Sequence, residues 1–362
     1  MSKQASENKN NQLSKPRSDT LPVKRTLEEV VSIQMVAEKA GVSIATISRV
    51  LNGNRTKVSE ATRERVLSVI AELGYRPSGA GSALRSGRSR MVALMVPEPT
   101  NAYNGAIANA VERKLRERGK ILLFCNTQED PGIQDELLKE MRAQVVSGII
   151  MLGAVESEGL RACVTGGDPI VFVNRRPAYA PPGVFVGIDN HASGRMVATH
   201  FRERGFSRTW LVHGPLTSAA TAERVQGFLG HLADAGAPPP VKIFETSRSR
   251  MEAGYELASQ QLSKHERPEA IFCTTDELAY GVFKRCTELG IDVPQDIHLF
   301  GFDGNPLNEY LAPWLGTIRV PYEEFGGAVT AALEHFWSEG VPPEKDAVFP
   351  VRLLASFEKQ RK

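Results

Sequence analysis

With 362 residues, 41% hydrophobic and 24% charged, the chain can bury a sizeable core, and no apolar run approaches the ~20 residues that cross a bilayer. Its net charge of +2 conceals a division: residues 1–90 hold 16 Lys and Arg against 8 Asp and Glu, whereas residues 91–362 hold 28 against 34. A basic head on an acidic body fits a module that meets phosphates, carried by a body that does not, and four widely spaced cysteines without a Cys-x-x-Cys argue against a metal or disulfide framework.

Residues 1–30 are polar, rich in Lys, Asn and Ser, and lack the apolar stretch of a secretory signal, so they read as a disordered tail on a cytoplasmic protein. Residues 31–76 carry three short helical patterns. Within them Ala37, Gly41 and Ile47 stand at the spacing of a helix-turn-helix: a small residue where two helices cross, a glycine for the tight turn, and a branched residue anchoring the second helix. Ser43 is placed to cap that second helix, so Ile44, Ala45, Thr46, Ser48 and Arg49 fall in the turns that enter a major groove. A plain helical hairpin would share the spacing but not the basic surroundings. Residues 77–90 contain no acidic residue and read as a linker.

From residue 91 short apolar runs (92–96, 121–124, 148–152, 170–173, 209–212, 241–244, 270–273 and 297–300) alternate with amphipathic stretches (107–118, 134–144, 192–204, 224–235, 253–262 and 277–289). This alternation predicts parallel sheets with helices on both faces, and two sets of runs predict two similar lobes. Ligands of such sheets bind beyond the C-terminal strand ends, where this chain is polar or aromatic: Pro97 to Asn104, Asn126 to Asp130, Asn174 to Arg176, His213 to Ala220, Thr274 to Asp276, and Asp303. Their convergence between the lobes would form a cleft suited to a hydroxyl-rich ligand.

An enzyme is not expected. Gly79-Ala-Gly81 has no strand before it and Leu84 where a dinucleotide fingerprint has its third glycine; there is no phosphate-binding Gly-Lys-Ser/Thr loop, nucleophile elbow or His-Glu-x-x-His, and the seven histidines lack metal-ligand spacing. No cofactor or metal is expected. A transport-type solute-binding protein would share the body but not the basic head.

The run Ala37-Glu-Lys-Ala-Gly-Val-Ser-Ile-Ala-Thr-Ile-Ser-Arg-Val-Leu-Asn-Gly53, then Val58-Ser-Glu-Ala-Thr-Arg-Glu-Arg-Val66 and Gly74-Tyr-Arg-Pro77, strongly resembles the headpiece of the LacI/GalR family of bacterial repressors. The resemblance extends from residue 32 over nearly the whole chain; Met35 departs from the family's usual Asp. It implies an all-α helix-turn-helix headpiece at 31–76 and a hinge helix at 77–90, followed by a two-lobe α/β body of the type I periplasmic-binding-protein kind. The first lobe would take 91–188 and 320–347, the second 189–319 and 348–362.

By the same resemblance Ile44 and Ala45 read base edges, by apolar contact with thymine methyls, while Arg49 reaches a guanine and Ser43, Thr46, Arg55 and Lys57 position phosphates. Leu84 resembles the leucine that wedges into the minor groove and bends the operator. Gly79 and Gly81 each cost about 1 kcal/mol in a helix, so the hinge is expected to fold only on DNA. Effector candidates are Tyr103 and Asn104 in Asn-Ala-Tyr-Asn, Asn174, Ser218, Arg224 in Arg-Val-Gln-Gly-Phe, Thr275, and Asp303 in Gly-Phe-Asp. Arg224 can hold two hydroxyls or a carboxylate, and Asp303 can accept from sugar hydroxyls. Thr275 stands where the family has Asn, and no aromatic marks the position near Ser249 that often stacks on a ring. Arg248 and Arg250 beside it read as solvated loop charges, with an anionic effector as the alternative. The implied partners are double-stranded operator DNA, a sugar, sugar acid or sugar phosphate, and a second copy of the chain, with tetramers left open. The implied location is the bacterial cytoplasm, at the nucleoid.

Overall fold

The computed structural model describes residues 31–51, 58–76, 89–263 and 267–355. The N-terminal tail, residues 77–88 of the hinge, and with them Arg55, Lys57 and Leu84, lie outside the described residues. The chain forms two compact units, residues 1–78 and 79–362.

The first unit holds α1 (Ile33–Ala40), α2 (Ile44–Leu51) and α3 (Glu60–Leu73). Ser32 caps α1 by accepting from Met35 N, and Gly41 ends it at φ +63°, a left-handed turn that a Cβ would disfavour. Val36, Ala37 and Ala40 of α1, Ile47 and Val50 of α2, and Val66 and Val69 of α3 form one buried cluster. Ala37 and Ile47 therefore take the crossing and anchoring roles that their spacing predicts.

The second unit begins with β1 (Met91–Val96), α4 (Ala102–Glu117), β2 (Ile121–Asn126), α5 (Pro131–Ala143), β3 (Ile149–Leu152), α6 (Glu158–Thr165), β4 (Ile170–Val173) and β5 (Phe185–Ile188). The chain then enters a second lobe through α7 (Asn190–Glu203), β6 (Thr209–His213), α8 (Ala219–Asp234), β7 (Lys242–Glu245), α9 (Met251–Gln261), β8 (Ala270–Cys273), α10 (Asp276–Leu289), β9 (His298–Phe300), α11 (Asn308–Leu311) and β10 (Thr317–Arg319). It returns to the first lobe for α12 (Tyr322–Glu339) and β11 (Ala347–Phe349), and β12 (Arg352–Leu354) pairs antiparallel with β10 in the second. The boundary expected at 347/348 thus needs correction: Val348 and Phe349 pair with Gly187 and Ile188, so the last crossing follows Phe349.

The larger sheet runs β11-β5-β4-β3-β1-β2 and the smaller β7-β6-β8-β9, all parallel within each. Central strands such as β3, β4, β6 and β8 are buried along their whole length, which is why they appear as unbroken apolar runs. In the larger sheet the order reverses between β1 and β3, and in the smaller between β6 and β8. At such a reversal the flanking connections leave toward opposite faces and open a crevice at the strand C-termini.

Candidate DNA-reading face and ligand cleft

Of the expected DNA contacts, Ser43, Ile44, Ala45, Thr46 and Arg49 are described. Ser43 Oγ accepts from Thr46 N at 3.2 Å, closing the first turn of α2. The helix turns Ile47 and Val50 into the headpiece core and leaves Ile44, Ala45 and Arg49 exposed. Ile44 keeps 42% of its surface in solvent, an apolar side chain that the core does not use.

In the second unit the loops beyond β1, β3, β4, β6 and β8 enclose a cavity of about 900 Å³. All seven expected effector contacts line it: Tyr103, Asn104 and Asn174 from the first lobe, and Ser218, Arg224, Thr275 and Asp303 from the second. Both crevices therefore open on one space.

Arg224, on α8, is buried. Its Nε donates to Asn190 Oδ1 at 2.9 Å, its Nη1 donates to Thr274 O at 2.8 Å, and Nη1 stands 3.5 Å from Asp303 Oδ1. The guanidinium carbon lies 3.5 Å from the centre of the Phe302 ring, a cation–π contact that fixes the plane of the fork. A Cβ at Gly194 would run into the Arg224 carbonyl, and one at Gly227 into that of His191, so these two glycines let α7 and α8 cross closely enough to deliver Arg224 to the cavity.

Asp303 is held at φ +111° by its own N–H on Ile318 O at 3.0 Å and by the Tyr322 hydroxyl on its carbonyl at 2.6 Å. A non-glycine residue at that φ is strained, and surrounding bonds must enforce it. Burial pushes the Asp303 carboxyl up, and the Arg224 guanidinium opposes it. Beneath them Asp276 Oδ1 accepts from Thr317 Oγ1 at 2.7 Å, while its Oδ2 accepts from Asn305 N at 2.8 Å and Asn308 Nδ2 at 2.9 Å. Burial still raises Asp276 to about 6.

On the opposing wall Tyr103 packs edge-on to Tyr322 with ring centroids 5.7 Å apart, and its hydroxyl has no hydrogen-bond partner among the described residues. Asn174, at φ +64°, likewise leaves Oδ1 buried and unpartnered. Two buried polar atoms thus stand without a hydrogen-bond partner on one cavity wall. Asn104 differs: its Nδ2 donates to Glu98 O at 2.7 Å, so it shapes the wall. Thr275 Oγ1 accepts from Leu278 N at 3.3 Å as the cap of α10, and Ser218 starts α8 without a side-chain cap bond.

Sequence reasoning passed over Asn190, Phe302 and Glu277, and reached Glu98 only as part of the stretch from Pro97 to Asn104. Arg250 is a correction: Glu98 binds its Nη2 at 2.7 Å, so it is not a solvated loop charge, whereas Arg248 is exposed as expected. The partners Glu98 and Arg250 lie 152 positions apart in the chain, and no local pattern links them. Among the described residues no group of three or more His, Cys, Asp or Glu could hold a metal, and no helix is long and apolar enough to cross a membrane.

Comparison with known proteins matches residues 32–78 to bacterial regulatory proteins of the lacI family and residues 198–355 to the periplasmic binding protein-like domain. The chain is 31% identical over 299 residues to the HTH-type transcriptional regulator DegA of Bacillus subtilis (strain 168), across 82% of this chain and 88% of that protein. Its fold is similar to that of the Lac repressor dimer bound to operator and the anti-inducer ONPF, with a TM-score of 0.77 at 24% identity over 90% of this chain and 97% of that one. It is also similar to the transcriptional regulator CelR in its cellobiose complex, with a TM-score of 0.66 at 26% identity over 90% and 98%.

Proposed function

Because this chain belongs to the LacI family of bacterial regulatory proteins, we propose that it is a homodimeric repressor of carbohydrate or sugar-acid genes whose hold on a palindromic operator is set by a sugar-like effector in the cavity. The family fixes the coarse activity: it is a transcriptional regulator and not an enzyme. The finer reading rests above all on the buried Arg224–Asp303 pair facing the unpartnered Tyr103 hydroxyl and Asn174 Oδ1 across the cavity. A sugar hydroxyl both donates and accepts, so one ring can satisfy Asn174 Oδ1, Asp303 and the Tyr103 hydroxyl together. The cellobiose bound by the related CelR regulator supports the same ligand class.

On the DNA side, Ile44 and Ala45 meet thymine methyls, Arg49 reaches a guanine, and Ser43 and Thr46 position phosphates. Dimerisation draws support from exposed apolar residues on one edge strand of each parallel sheet and on α11: Ile121 and Phe124 on β2, Ile243 on β7, Tyr310 and Leu311 on α11. The effector acts through its different affinity for two arrangements of the lobes, and we infer that it is an inducer that weakens operator binding.

The test is a thermal-shift screen of the purified protein against neutral sugars, sugar acids and sugar phosphates, followed by operator binding with each hit. A raised melting temperature and weakened operator binding from one compound support the reading. A protein that prefers no duplex over random sequence, with or without these compounds, would refute it.

A further inference from the structure

At the mouth of the cavity one ion pair bridges the two lobes. Glu98, in the segment after β1, holds Oε2 2.7 Å from Nη2 of Arg250, the residue that precedes α9. With side chains 27% and 35% exposed, both are partly withdrawn from solvent. Glu98 is fixed from its own lobe: Oε1 accepts from Thr100 N at 3.3 Å and Thr100 Oγ1 at 2.9 Å, bonds that hold its carboxyl below the ordinary value. Glu277, in the first turn of α10, lines the same cavity. The charged groups around it are Glu252 of α9, Arg250, Glu98 from the opposite lobe, and Asp276 beside it.

We propose that the Glu98–Arg250 pair is a latch holding the lobes closed across the cavity, and that ionised Glu277 releases it by drawing Arg250 toward its own lobe and repelling Glu98. Burial, followed by Glu252, pushes the Glu277 carboxyl up to about 7, with Arg250 pulling it down. Closure deepens that burial, so closed lobes take up a proton that open lobes give back. The linkage favours closure as pH falls through about 7 and opening above it. Glu98 stays charged throughout this range, because the Thr100 bonds keep its carboxyl low. The latch concerns the lobes alone, and the effector reading bears only on what closure would signal.

Hydrogen exchange in the full-length protein without added ligand tests this, with protection referenced to intrinsic rates at each pH, at the amides of residues 97–104 and 248–254. E98Q and R250Q should each lower protection about two- to fivefold, as expected for a partly exposed pair, and E98Q/R250Q no further than either alone. Wild-type protection should fall between about pH 6 and about pH 8, and E277Q should keep its low-pH protection throughout. Additive losses in the double variant would overturn the latch, and a fall with pH that persists in E277Q would overturn the release. Failure of either leaves the effector reading standing, since no ligand enters the measurement.

Discussion

Asn308 donates from Nδ2 to Asp276 Oδ2 at 2.9 Å, tying the start of α11 to a carboxylate that lies one residue beyond the cavity-lining Thr275. Tyr280 reinforces the tie by donating from its hydroxyl to Asn308 Oδ1 at 2.5 Å. The exposed Tyr310 and Leu311 are therefore mechanically connected to the cavity floor through a single buried acid.

That acid should be visible in the pH dependence of stability. Folded Asp276 holds its proton up to about 6, whereas an unperturbed aspartate releases it near 3.8. Its contribution therefore favours folding most at low pH and is lost as pH rises through that interval. Asp276→Asn places an amide donor against donors already aimed at the carboxylate, which costs about 1–3 kcal/mol. In urea denaturation, the stability lead of wild type over Asp276→Asn should shrink as pH rises from 3.8 to about 6 and stay level above. A lead constant across that range would contradict the assignment.

Removing Arg224 should be worse than removing the pair it forms with Asp303. Arg224→Met leaves a buried carboxylate without its cation and costs about 3–5 kcal/mol at neutral pH. Arg224→Met/Asp303→Leu should recover part of that loss. A double variant that loses the sum of what Arg224→Met and Asp303→Leu lose singly would mean that the 3.5 Å pair carries no coupling.

Gly227→Ala should act at a distance. The new methyl meets the His191 carbonyl, so α7 and α8 must separate, at about 1–3 kcal/mol. Because Arg224 rides on α8 less than one turn away, its bond to Asn190 should lengthen. Thermal unfolding measures the first effect, and the affinity for any sugar found in the screen measures the second. A variant with unchanged melting temperature would show that the helices do not need their close approach.

In the headpiece, Ser43→Ala removes the cap on Thr46 N and should lower stability by about 1 kcal/mol. Ile44→Gln should leave stability within about 0.5 kcal/mol, since Ile44 is exposed, yet move the preferred base at one operator position from thymine to adenine by about 1–3 kcal/mol. Selection from randomised duplexes reads the change. An unchanged preferred sequence would remove Ile44 from the base-reading face.

The sequence made the buried strands plain, because a parallel strand covered on both faces has no polar positions to interrupt it. All eight apolar runs became strands, whereas β5, β10, β11 and β12 went unread. Three of these four are three residues long, and β5 includes Gly187, so none presents a run long enough to stand out. Helix starts were placed too late: α4 begins at Ala102 because Asn101 caps it, and α8 at Ala219 after Ser218. At the cavity, polar residues just past the strands that were recognised as apolar runs were legible, since topology alone brings strand ends together. Asn190 and Phe302 were not, because their role is to hold Arg224, and a positioning contact leaves no spacing in the chain.

The polypeptide passes between the lobes three times, after Ile188, after Arg319 and after Phe349. Neither lobe is thus a contiguous stretch of sequence: a fragment ending at Ile188 would lack α12 and β11, and would bare the β5 edge on which β11 pairs. Independent expression of one lobe should yield an aggregating product, while a single proteolytic nick in any one connection should leave both halves associated through the other two. The same triple tether confines the lobes to a narrow set of rotations, which makes a small change at the cavity legible as one coordinated motion of the body.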